Sequence, residues 1–573
     1  MKKLLLGNEA IARGAWEAGV HVCSSYPGTP STEITEVLAK TEGPHVEWAP
    51  NEKVALETAY GAALAGGRAL CCMKHVGLNV AADPLFTAAY TGISAGLVIV
   101  VADDPGMHSS QNEQDSRFYA RSAHVPMLEP ADSAEAYAMV QRAFEISEAY
   151  DTPVLLRVTT RVAHARSLVE LGDRREVPVR EYKKDVAKYV MMPGMARARH
   201  VAVEARMQRL VADAATLAEN TIEMRDKALG VICSGVTYRY VREALPQAST
   251  LKLGMVYPIA TDLAAKFAAQ VDKLLVIEEL EPFFENQLKA VGIACEGKRL
   301  TGVQGELSVR KVAELFGDAP PPLRAEEPLP GRPPVLCPGC PHRATFQVVS
   351  QLKLRAFGDI GCYTLGALPP LGALDACLCM GAGVSMAHGA EKAQGREFGA
   401  GSVAVIGDST FLHTGIQGLM NAVYNQSGMT LLILDNGITA MTGHQEHAGT
   451  GKNARGLPSP SIKLEALCEA LGVKRIAVVD PFDKPELQRI LREETASPEV
   501  SVIIARRPCA LLVPPKPKPE LDEAKCKACG VCTRLACPAM ASHNKRPVID
   551  AALCNGCGLC VRACTFGALK GEA

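Results

Sequence analysis

The cysteine pattern at the end of the chain is the feature that most restricts its fold. Two C-x2-C-x2-C runs occur, each with a further cysteine after it. Three thiolates on one short loop can bind three irons of a cubane cluster, and the fourth thiolate then comes from the other run. On that pattern one [4Fe-4S] cluster is bound by Cys526, Cys529, Cys532 and Cys564, and a second by Cys554, Cys557, Cys560 and Cys537. We therefore expect residues 521–573 to form a small domain whose folding depends on its clusters.

Zinc is the alternative reading of this tail. Structural zinc sites take four ligands, usually as two pairs, and two triplets do not divide in that way. The tail instead resembles bacterial two-cluster ferredoxin modules, which implies that it carries single electrons. It departs from them at two points: four residues separate Cys532 from Cys537, and Thr565 follows Cys564. We expect both departures to leave ligation intact.

The rest of the chain has the pattern of a multidomain α/β protein. Its 573 residues are enough for three to five domains. Short apolar, β-branched runs alternate with helical patterns, as in parallel sheets covered by helices. Strands are predicted at 97–101, 154–158, 230–233, 273–277, 402–406, 430–434 and 500–505. Together with two Pro-rich linkers at 319–336 and 513–520, the pattern predicts α/β domains at 1–165, 226–318 and 337–512 and a helical connector at 166–225.

Charge and hydropathy exclude some classes of partner. Lys plus Arg number 61 and Asp plus Glu 62, so no global charge favours nucleic acid or an anionic membrane. The longest apolar stretches, such as 92–102, are too short to cross a bilayer, and Gly7-Asn8-Glu9 interrupts the first apolar run before a signal peptide develops. We expect a cytoplasmic protein with reduced thiols.

A candidate diphosphate site follows two neighbouring predicted strands. Asp408 and Ser409 end the first strand, and Asn436 ends the second, 28 positions after Asp408. Taken alone, both could be ordinary turns. The carboxyl ends of parallel strands are where such sheets bind ligands, and Mg2+ prefers oxygen ligands. The pattern resembles the thiamine-diphosphate motif, which implies that the backbone carbonyl of Ile438 is the third protein ligand of Mg2+. A dinucleotide-binding alternative is weak, because MGAGVSMAHG lacks the third glycine.

Thiamine chemistry also requires a carboxylate against the aminopyrimidine ring. Glu52 begins a predicted helix, where an acid is favoured by the helix dipole whatever its function. Its context resembles the pyrimidine-binding domain of 2-oxoacid:ferredoxin oxidoreductases through YPGTPSTEI at 26–34 and NEKVALETAYGAALAG at 51–66. By that resemblance Glu52 is the activating glutamate and Thr29 lies near the substrate.

The resemblance extends over nearly the whole chain. With CPGCPHR, GDSTFLHTGIQGLMNAVYN and ILDNGITAMTGHQ in this order, the sequence is similar to the large α subunits of the indolepyruvate:ferredoxin oxidoreductase family. That similarity implies a pyrimidine-binding domain at 1–165, a transketolase-C-terminal-like domain at 226–318, a diphosphate- and Mg-binding domain at 337–512 and an α+β ferredoxin domain at 521–573.

The family also implies a reaction and its partners. The reaction is oxidative decarboxylation of aryl 2-oxoacids with coenzyme A to acyl-CoA and CO2, with electrons passed to ferredoxin. The partners are a separate small β subunit and a second α subunit in a hetero-oligomer. Two alternatives stay open: the same chemistry on pyruvate or 2-oxoglutarate, and a non-catalytic electron-transfer scaffold. Retention of Glu52, Asp408 and Asn436 argues against the scaffold.

The remaining candidates are a second set of cysteines and several polar residues. Cys337, Cys340, Cys362 and Cys509 resemble the set that holds a third [4Fe-4S] cluster in related oxidoreductases, although Pro341 stands where those enzymes have glycine. The alternatives are a redox-active Cys337–Cys340 pair and simple buried thiols. Arg117 or Arg121 could bind the carboxylate of a 2-oxoacid through a planar guanidinium. We also consider His75 and Asn79 as residues that contact the cofactor or line its pocket.

Overall fold

The computed structural model describes residues 1–317, 319, 321, 331 and 333–571. The chain divides into two compact units, Met1–Arg324 and Ala325–Ala573, and each is described by itself. Most of the linker predicted at 319–336 lies outside the described residues, as do the last two residues of the tail. Within the described part of the chain, no helix combines the length and apolar character needed to cross a membrane.

The first unit is an α/β structure. Its strands are β1 (Lys2–Leu6), β2 (Val22–Ser25), β3 (His45–Trp48), β4 (Ala69–Lys74), β5 (Leu97–Asp103), β6 (Met127–Leu128), β7 (Val154–Thr159), β8 (Arg166–Glu170), β9 (Thr221–Glu223), β10 (Asp226–Ser234), β11 (Ala248–Leu253), β12 (Met255–Tyr257) and β13 (Leu274–Ile277). Its helices are α1 (Gly7–Glu17), α2 (Thr32–Ala39), α3 (Glu52–Leu64), α4 (His75–Val80), α5 (Ala82–Thr91), α6 (Arg117–Ala123), α7 (Ser133–Tyr150), α8 (Thr160–His164), α9 (Val186–Tyr189), α10 (Pro193–Ala214), α11 (Gly235–Ala244), α12 (Thr261–Ala268), α13 (Phe283–Ala290), α14 (Lys298–Thr301) and α15 (Val309–Glu314).

The main sheet of the first unit has the strand order β12-β6-β7-β5-β4-β2-β3. Its central strands β4, β5 and β7 are buried along their whole length. Such continuous apolar strands are expected in a parallel sheet that helices cover on both faces. Because β4, β2 and β3 are adjacent and parallel, the loops after them lie at one edge of the sheet.

A second sheet in this unit has the order β13-β10-β11-β9, with β9 antiparallel to β11. The strand that follows β11 leaves this sheet: β12 pairs with β6 of the main sheet, and Met255 lies opposite Leu128. The segment predicted as a helical connector contains α10 but also the strands β8 and β9. Both are short strands that pair antiparallel with one neighbour, so they carry no buried apolar run that the sequence could reveal.

The second unit joins a parallel α/β sheet to the cysteine-rich tail. Its strands are β14 (Arg355–Gly358), β15 (Ala376–Cys377), β16 (Ser402–Gly407), β17 (Thr430–Asp435), β18 (Arg475–Val479), β19 (Ser501–Arg506), β20 (Glu520–Leu521), β21 (Met540–His543), β22 (Arg546–Ile549) and β23 (Leu569–Lys570). Its helices are α16 (Pro341–Gln351), α17 (Ala382–Gln394), α18 (Arg396–Gly399), α19 (Asp408–Thr410), α20 (Ile416–Tyr424), α21 (Leu464–Ala470), α22 (Lys484–Thr495) and α23 (Leu559–Ala563).

The parallel sheet of this unit has the order β15-β14-β16-β17-β19-β18. In the tail, β20 pairs with β23 and β21 with β22, both antiparallel. The tail packs on the sheet domain through a small apolar cluster that includes Ala344 of α16, Phe482, Leu535 and Leu559. The predicted fold class, a multidomain α/β protein with a small cluster-binding domain, is confirmed, and the predicted strands correspond to β5, β7, β10, β13, β16, β17 and β19.

Candidate active site

Glu52 is the first residue of α3, and its side chain is buried at 5% exposure. Asn51 caps this helix, because its side-chain oxygen accepts a hydrogen bond from the Val54 N–H at 2.9 Å. The cap determines where the helix begins and therefore where Glu52 lies. A carboxylate at this end is also stabilised by the helix dipole.

Gly77 of α4 lies directly against the Glu52 carboxyl group. A Cβ at position 77 would be 2.6 Å from Oε1 and 2.7 Å from Cγ of Glu52. Any side chain larger than hydrogen would displace the carboxylate. Sequence reasoning missed Gly77, although its place in the helix that directly follows strand β4 was a usable signal.

Three of the predicted residues follow adjacent strands at one edge of the sheet. Thr29 follows β2, Glu52 follows β3 and His75 follows β4. Thr29 is half-buried; the preceding Gly28 packs against Lys74, since a Cβ there would be 3.0 Å from the Lys74 Cβ. This is the edge at which parallel α/β sheets bind ligands.

His75 is 1% exposed, and neither ring nitrogen makes a hydrogen bond to any described residue. Burial lowers the His75 pKa, although the charge of Asp103 and the carbonyl groups of Ala102 and Asn112 act in the opposite direction. A buried imidazole without partners is costly, so a polar ligand group at this position would stabilise the protein. Asn79 differs, because its side chain is exposed and accepts a hydrogen bond from the Tyr119 hydroxyl.

Arg117 is buried and its guanidinium is already engaged. It binds Asp115 at 2.6 Å and Glu278 at 2.7 Å, and it donates to the carbonyl of Glu279 at 2.8 Å. Glu278 follows β13 of the second sheet and Arg117 begins α6, which follows β5 of the main sheet, so these bonds link those two sheets. This position argues for a structural role rather than the substrate-binding role expected from the sequence. Arg121, one turn later, is exposed.

In the second unit, Asp408 and Asn436 follow the adjacent parallel strands β16 and β17. Asp408 is 3% exposed, and its Oδ2 accepts a hydrogen bond from the Gly437 N–H at 2.8 Å. The Asn436 Oδ1 accepts from the Ile438 N–H at 3.2 Å. Gly437 has a φ of 73°, a left-handed conformation that glycine adopts without strain. A carboxylate, an amide oxygen and a backbone carbonyl on these two loops are a donor set that suits Mg2+.

Hydroxyl and imidazole groups surround this pair. The Ser409 and Thr439 hydroxyl oxygens are 2.8 Å apart, and the His447 Nε2 is 3.4 Å from the Asp408 Oδ2. His342 lies 3.4 Å from the Asn436 Nδ2, and its burial lowers its pKa to about 4, so the ring is neutral at neutral pH. Sequence reasoning missed Thr439 and His342, although both lie within motifs that it had identified.

A buried Asp359–Tyr363 pair lies beside the same loops. The Tyr363 hydroxyl donates to Asp359, and burial raises the Asp359 pKa to about 7. The Tyr363 ring packs edge-to-face on His342 with centroids 6.1 Å apart. It also packs on Gly407, where a Cβ would lie 2.7 Å from the ring. The residue before Asp408 must therefore be glycine.

The four cysteines expected to bind a third cluster are neighbours. The Cys340 N–H donates to the Cys337 carbonyl at 3.2 Å. Burial raises the pKa of the Cys340 thiol to about 12, and nearby Cys362 and Cys337 raise it further. Burial likewise raises the Cys362 pKa to about 11, with Cys509 and Cys337 adding to the effect. Cys509 is adjacent to the candidate Mg2+ site, because its N–H donates to the Asn436 carbonyl at 2.9 Å.

In the described part of the tail, each predicted set of four cysteines lines a separate cavity. Cys526, Cys529, Cys532 and Cys564 line one of them, together with Lys527 and Lys545. The other cavity is lined by Cys537, Cys554, Cys557 and Cys560, together with Pro338, Gly339 and Arg343.

No three His, Cys, Asp or Glu side chains among the described residues converge on a single ion. Cubane ligands bind separate irons and so lie farther apart than the ligands of one ion. The cavities agree with the crossed ligand sets, which stay a prediction.

Three parts of the chain match known families. Residues 13–228 match the thiamine-diphosphate-binding family of pyruvate flavodoxin/ferredoxin oxidoreductases. Residues 359–505 match the C-terminal TPP binding domain of thiamine pyrophosphate enzymes, and residues 546–569 match a 4Fe-4S binding domain. The thiamine-type and 4Fe-4S-type domains expected from the sequence are thereby confirmed.

Similar proteins cover nearly the full chain. A Pyrococcus horikoshii protein is 40% identical over 93% of this chain and 90% of its own length, and one from Methanothermobacter marburgensis is 42% identical over 92% and 90%. Both are named indolepyruvate oxidoreductase subunit IorA. A solved 2-oxoglutarate:ferredoxin oxidoreductase from Magnetococcus marinus is 18% identical over 55% of this chain and 64% of its own, with a TM-score of 0.46. The chain therefore belongs to the family of indolepyruvate oxidoreductase IorA subunits and is an oxidoreductase of the 2-oxoacid:ferredoxin class.

Proposed function

We propose that this chain is the large α subunit of a cytoplasmic enzyme that oxidatively decarboxylates aryl 2-oxoacids such as indolepyruvate. Coenzyme A takes the acyl group, CO2 is released, and ferredoxin accepts the electrons. A small β subunit completes the enzyme in a hetero-oligomer that contains two α subunits. The names of the relatives support the aryl substrate.

One observation carries the oxidative part of the proposal. The Cys509 N–H bonds the Asn436 carbonyl at 2.9 Å, so a candidate cluster ligand adjoins the candidate metal site of the cofactor. A decarboxylase that did not oxidise its substrate would need no electron acceptor beside the cofactor. The adjacency therefore favours an oxidising enzyme over a simple decarboxylase.

Each candidate residue has a defined task in this proposal. Thiamine diphosphate, when bound, supplies the electron sink that lets a 2-oxoacid lose CO2. Glu52 exchanges a proton with the aminopyrimidine ring from a position that Gly77 and the α3 cap determine. Asp408, Asn436 and the Ile438 carbonyl hold Mg2+ on the diphosphate, and Ser409 supports that loop through Thr439.

The substrate contacts are drawn from the remaining candidates. Thr29 and His75 lie at the sheet edge that carries Glu52. Arg121 replaces Arg117 as the partner of the substrate carboxylate, because the Arg117 guanidinium is engaged by Asp115 and Glu278. Asn79 stays a candidate for lining the pocket, with an exposed side chain that accepts a hydrogen bond from the Tyr119 hydroxyl.

Three sets of cysteines would hold the clusters that carry single electrons in this proposal. The first cluster is held by Cys337, Cys340, Cys362 and Cys509, beside the metal site. The second is held in the cavity that Cys537, Cys554, Cys557 and Cys560 line, which the Pro338–Gly339 loop also lines. The third is held by Cys526, Cys529, Cys532 and Cys564, in the cavity that only tail residues line. Ferredoxin accepts electrons there.

An anaerobic assay with a panel of substrates tests the function. The purified chain, with and without the small β subunit, is given indolepyruvate, phenylpyruvate, pyruvate or 2-oxoglutarate, with coenzyme A and viologen dye. We expect kcat/KM for indolepyruvate to exceed that for pyruvate at least tenfold and dye reduction to require coenzyme A. A preference for pyruvate or 2-oxoglutarate would overturn the aryl assignment, and turnover to the free acid would overturn acyl transfer to coenzyme A.

A further inference from the structure

Arg343 is a buried cation, and no carboxylate of the described residues pairs with it. It lies on α16, three residues after Cys340, and is 3% exposed. Its guanidinium donates to the backbone carbonyls of Leu336 at 2.5 Å, Leu535 at 3.1 Å and Ala536. The described residues contain no Asp or Glu side chain in an ion pair with it, whereas buried Arg117 and Arg157 each bind two carboxylates.

The carbonyl partners of Arg343 adjoin two sets of candidate cluster ligands. Leu336 directly precedes Cys337, and Ala536 directly precedes Cys537. Arg343 also lines the cavity that contains Cys537, Cys554, Cys557 and Cys560. Its guanidinium thus joins the first loop of the sheet domain to the first loop of the tail.

Among the described residues, the acidic groups that act most strongly on Arg343 are thiols. Burial lowers its pKa, and the groups that act in the opposite direction are Cys537, Cys340, Cys337 and Cys557. In addition, the Arg343 Nε is fully buried and makes no hydrogen bond to any described residue. An unpaired buried charge is strongly unfavourable, so a negative group is expected beside it.

Two cubanes would supply that negative charge. A [4Fe-4S] cluster held by four thiolates is an anion, and each electron that it accepts makes it more negative. A fixed cation beside the cluster favours the reduced state and therefore raises the reduction potential. Cluster sulfur also accepts hydrogen bonds, and the buried Arg343 Nε–H is a candidate donor.

We propose that Arg343 is the shared counter-cation of two clusters, one held by Cys337, Cys340, Cys362 and Cys509 and the other by Cys537, Cys554, Cys557 and Cys560. It raises the potential of both, so that an electron passes from one to the other without a large loss of driving force. The proposal rests on the proposed function, since it requires both clusters.

The test compares charge-removing and charge-retaining variants of the holoenzyme. Arg343→Gln, Arg343→Lys and Arg507→Gln are purified anaerobically and titrated with dithionite while EPR follows each cluster. Arg507 is the matched control: it is also near Cys557, but it is half-buried and already pairs with Asp480 at 2.7 Å.

We call the two clusters beside Arg343 the inner clusters. In Arg343→Gln we expect both to become harder to reduce, by tenfold or more in the one-electron equilibrium constant, or about 59 mV per tenfold. The cluster of Cys526, Cys529, Cys532 and Cys564 should keep its potential. Arg343→Lys should shift the inner clusters less than Arg343→Gln, and Arg507→Gln should shift them less than either.

Several results would overturn the proposal. One is an Arg343→Gln shift no larger than that of Arg507→Gln. Another is an equal shift in Arg343→Lys and Arg343→Gln, which would make Arg343 only a clamp for backbone carbonyls. If Arg343→Gln assembles no clusters, the wild-type enzyme labelled with 15N-arginine decides: pulsed EPR should detect 15N coupled to a reduced inner cluster, and absence of that coupling would overturn the proposal.

Failure of the proposed function is distinguishable from failure of this inference. If the wild-type chain contains about eight irons and still turns over a 2-oxoacid, the proposed role of Arg343 between two clusters is wrong and the enzyme assignment is unaffected. If the predicted shifts in reduction potential occur but no 2-oxoacid is turned over, the role of Arg343 is supported and the proposed function is wrong.

Discussion

The backbone N–H of Cys509 donates a hydrogen bond to the carbonyl oxygen of Asn436 at 2.9 Å. Asn436 follows β17 and Cys509 follows β19, and these strands are adjacent and parallel. One backbone contact therefore ties a candidate Mg2+ ligand to a candidate cluster ligand. A displacement of either loop should therefore change the geometry of both the metal site and the cluster site.

Glu52→Gln should lower turnover about 100-fold or more while the protein still folds and binds thiamine diphosphate. An amide of the same shape cannot exchange a proton with the aminopyrimidine ring, and proton transfer of this kind typically contributes that much. Viologen reduction measures the loss. Glu57→Gln is the control, since Glu57 is exposed on the same helix and pairs with Lys53. If Glu52→Gln reduces viologen at nearly the wild-type rate, Glu52 is not the activating glutamate.

Gly77→Ala should reduce kcat by about 100-fold without loss of iron, because a displacement of a catalytic group by about 1 Å can cost that much. The added Cβ would lie 2.6 Å from the Glu52 Oε1, so the carboxylate must move. Gly61→Ala on α3 is the control, since a Cβ there meets no atom within 4 Å. That change should leave activity intact and add about 0.5–1 kcal/mol to the free energy of unfolding. Equal activity of the two variants would contradict the role of Gly77.

Asp408→Asn should weaken the binding of Mg2+ and thiamine diphosphate together, each by about tenfold or more, since one negative ligand of the metal is lost. Equilibrium dialysis against both ligands measures the change. Glu465→Gln, which removes a half-buried carboxylate that pairs with Arg506 at 2.7 Å, serves as the control in the same unit. Unchanged cofactor affinity in Asp408→Asn would refute the metal site.

The crossed ligand sets predict which pairs of cysteines belong to the same cluster, and iron content measures this. Cys564→Ser should cost about four irons, and adding Cys532→Ser should cost no more, because both belong to one predicted cluster. Combining Cys564→Ser with Cys560→Ser should instead cost about eight. Cys377→Ser, an exposed cysteine outside the predicted sets, should keep all iron. Equal iron content in the two double variants would contradict crossed ligation.

The lysines around the cavity that only tail residues line should affect electron transfer to the protein acceptor but not to a dye. Lys527 and Lys545 line the cavity of Cys526, Cys529, Cys532 and Cys564, and both are exposed. Reversing both charges to Glu should raise KM for an acidic ferredoxin several-fold at low salt and less at high salt, because the attraction is screened. Viologen reduction should not change. Lys463→Glu, an exposed lysine of the sheet domain, provides the comparison. An unaltered KM would mean that ferredoxin docks elsewhere.

The sequence by itself determined the features that depend on local spacing. Cysteines that are separated by two residues on one short loop bind the same cluster. The ligand sets of the tail could therefore be predicted before any fold was known. Buried parallel strands and the polar residues that end them were equally readable, because an apolar run and its termination are contiguous. The strands β16 and β17 with Asp408 and Asn436 are the clearest case.

Only the tertiary structure decided features that join residues far apart in the chain. The sequence offered Arg117 and Arg121 equally as partners of a substrate carboxylate, and only the fold shows that Arg117 binds Glu278, 161 positions later. Strand β12 pairs with β6 at the edge of the main sheet and not with β11, which precedes it in the chain. Arg343 donates hydrogen bonds to carbonyls more than 190 positions away. The carboxylate of Glu52 touches Gly77 across two helices. A local sequence pattern shows which residues are polar or small. Their contact partners depend on packing between segments that are distant in the chain, and residue spacing does not encode such contacts.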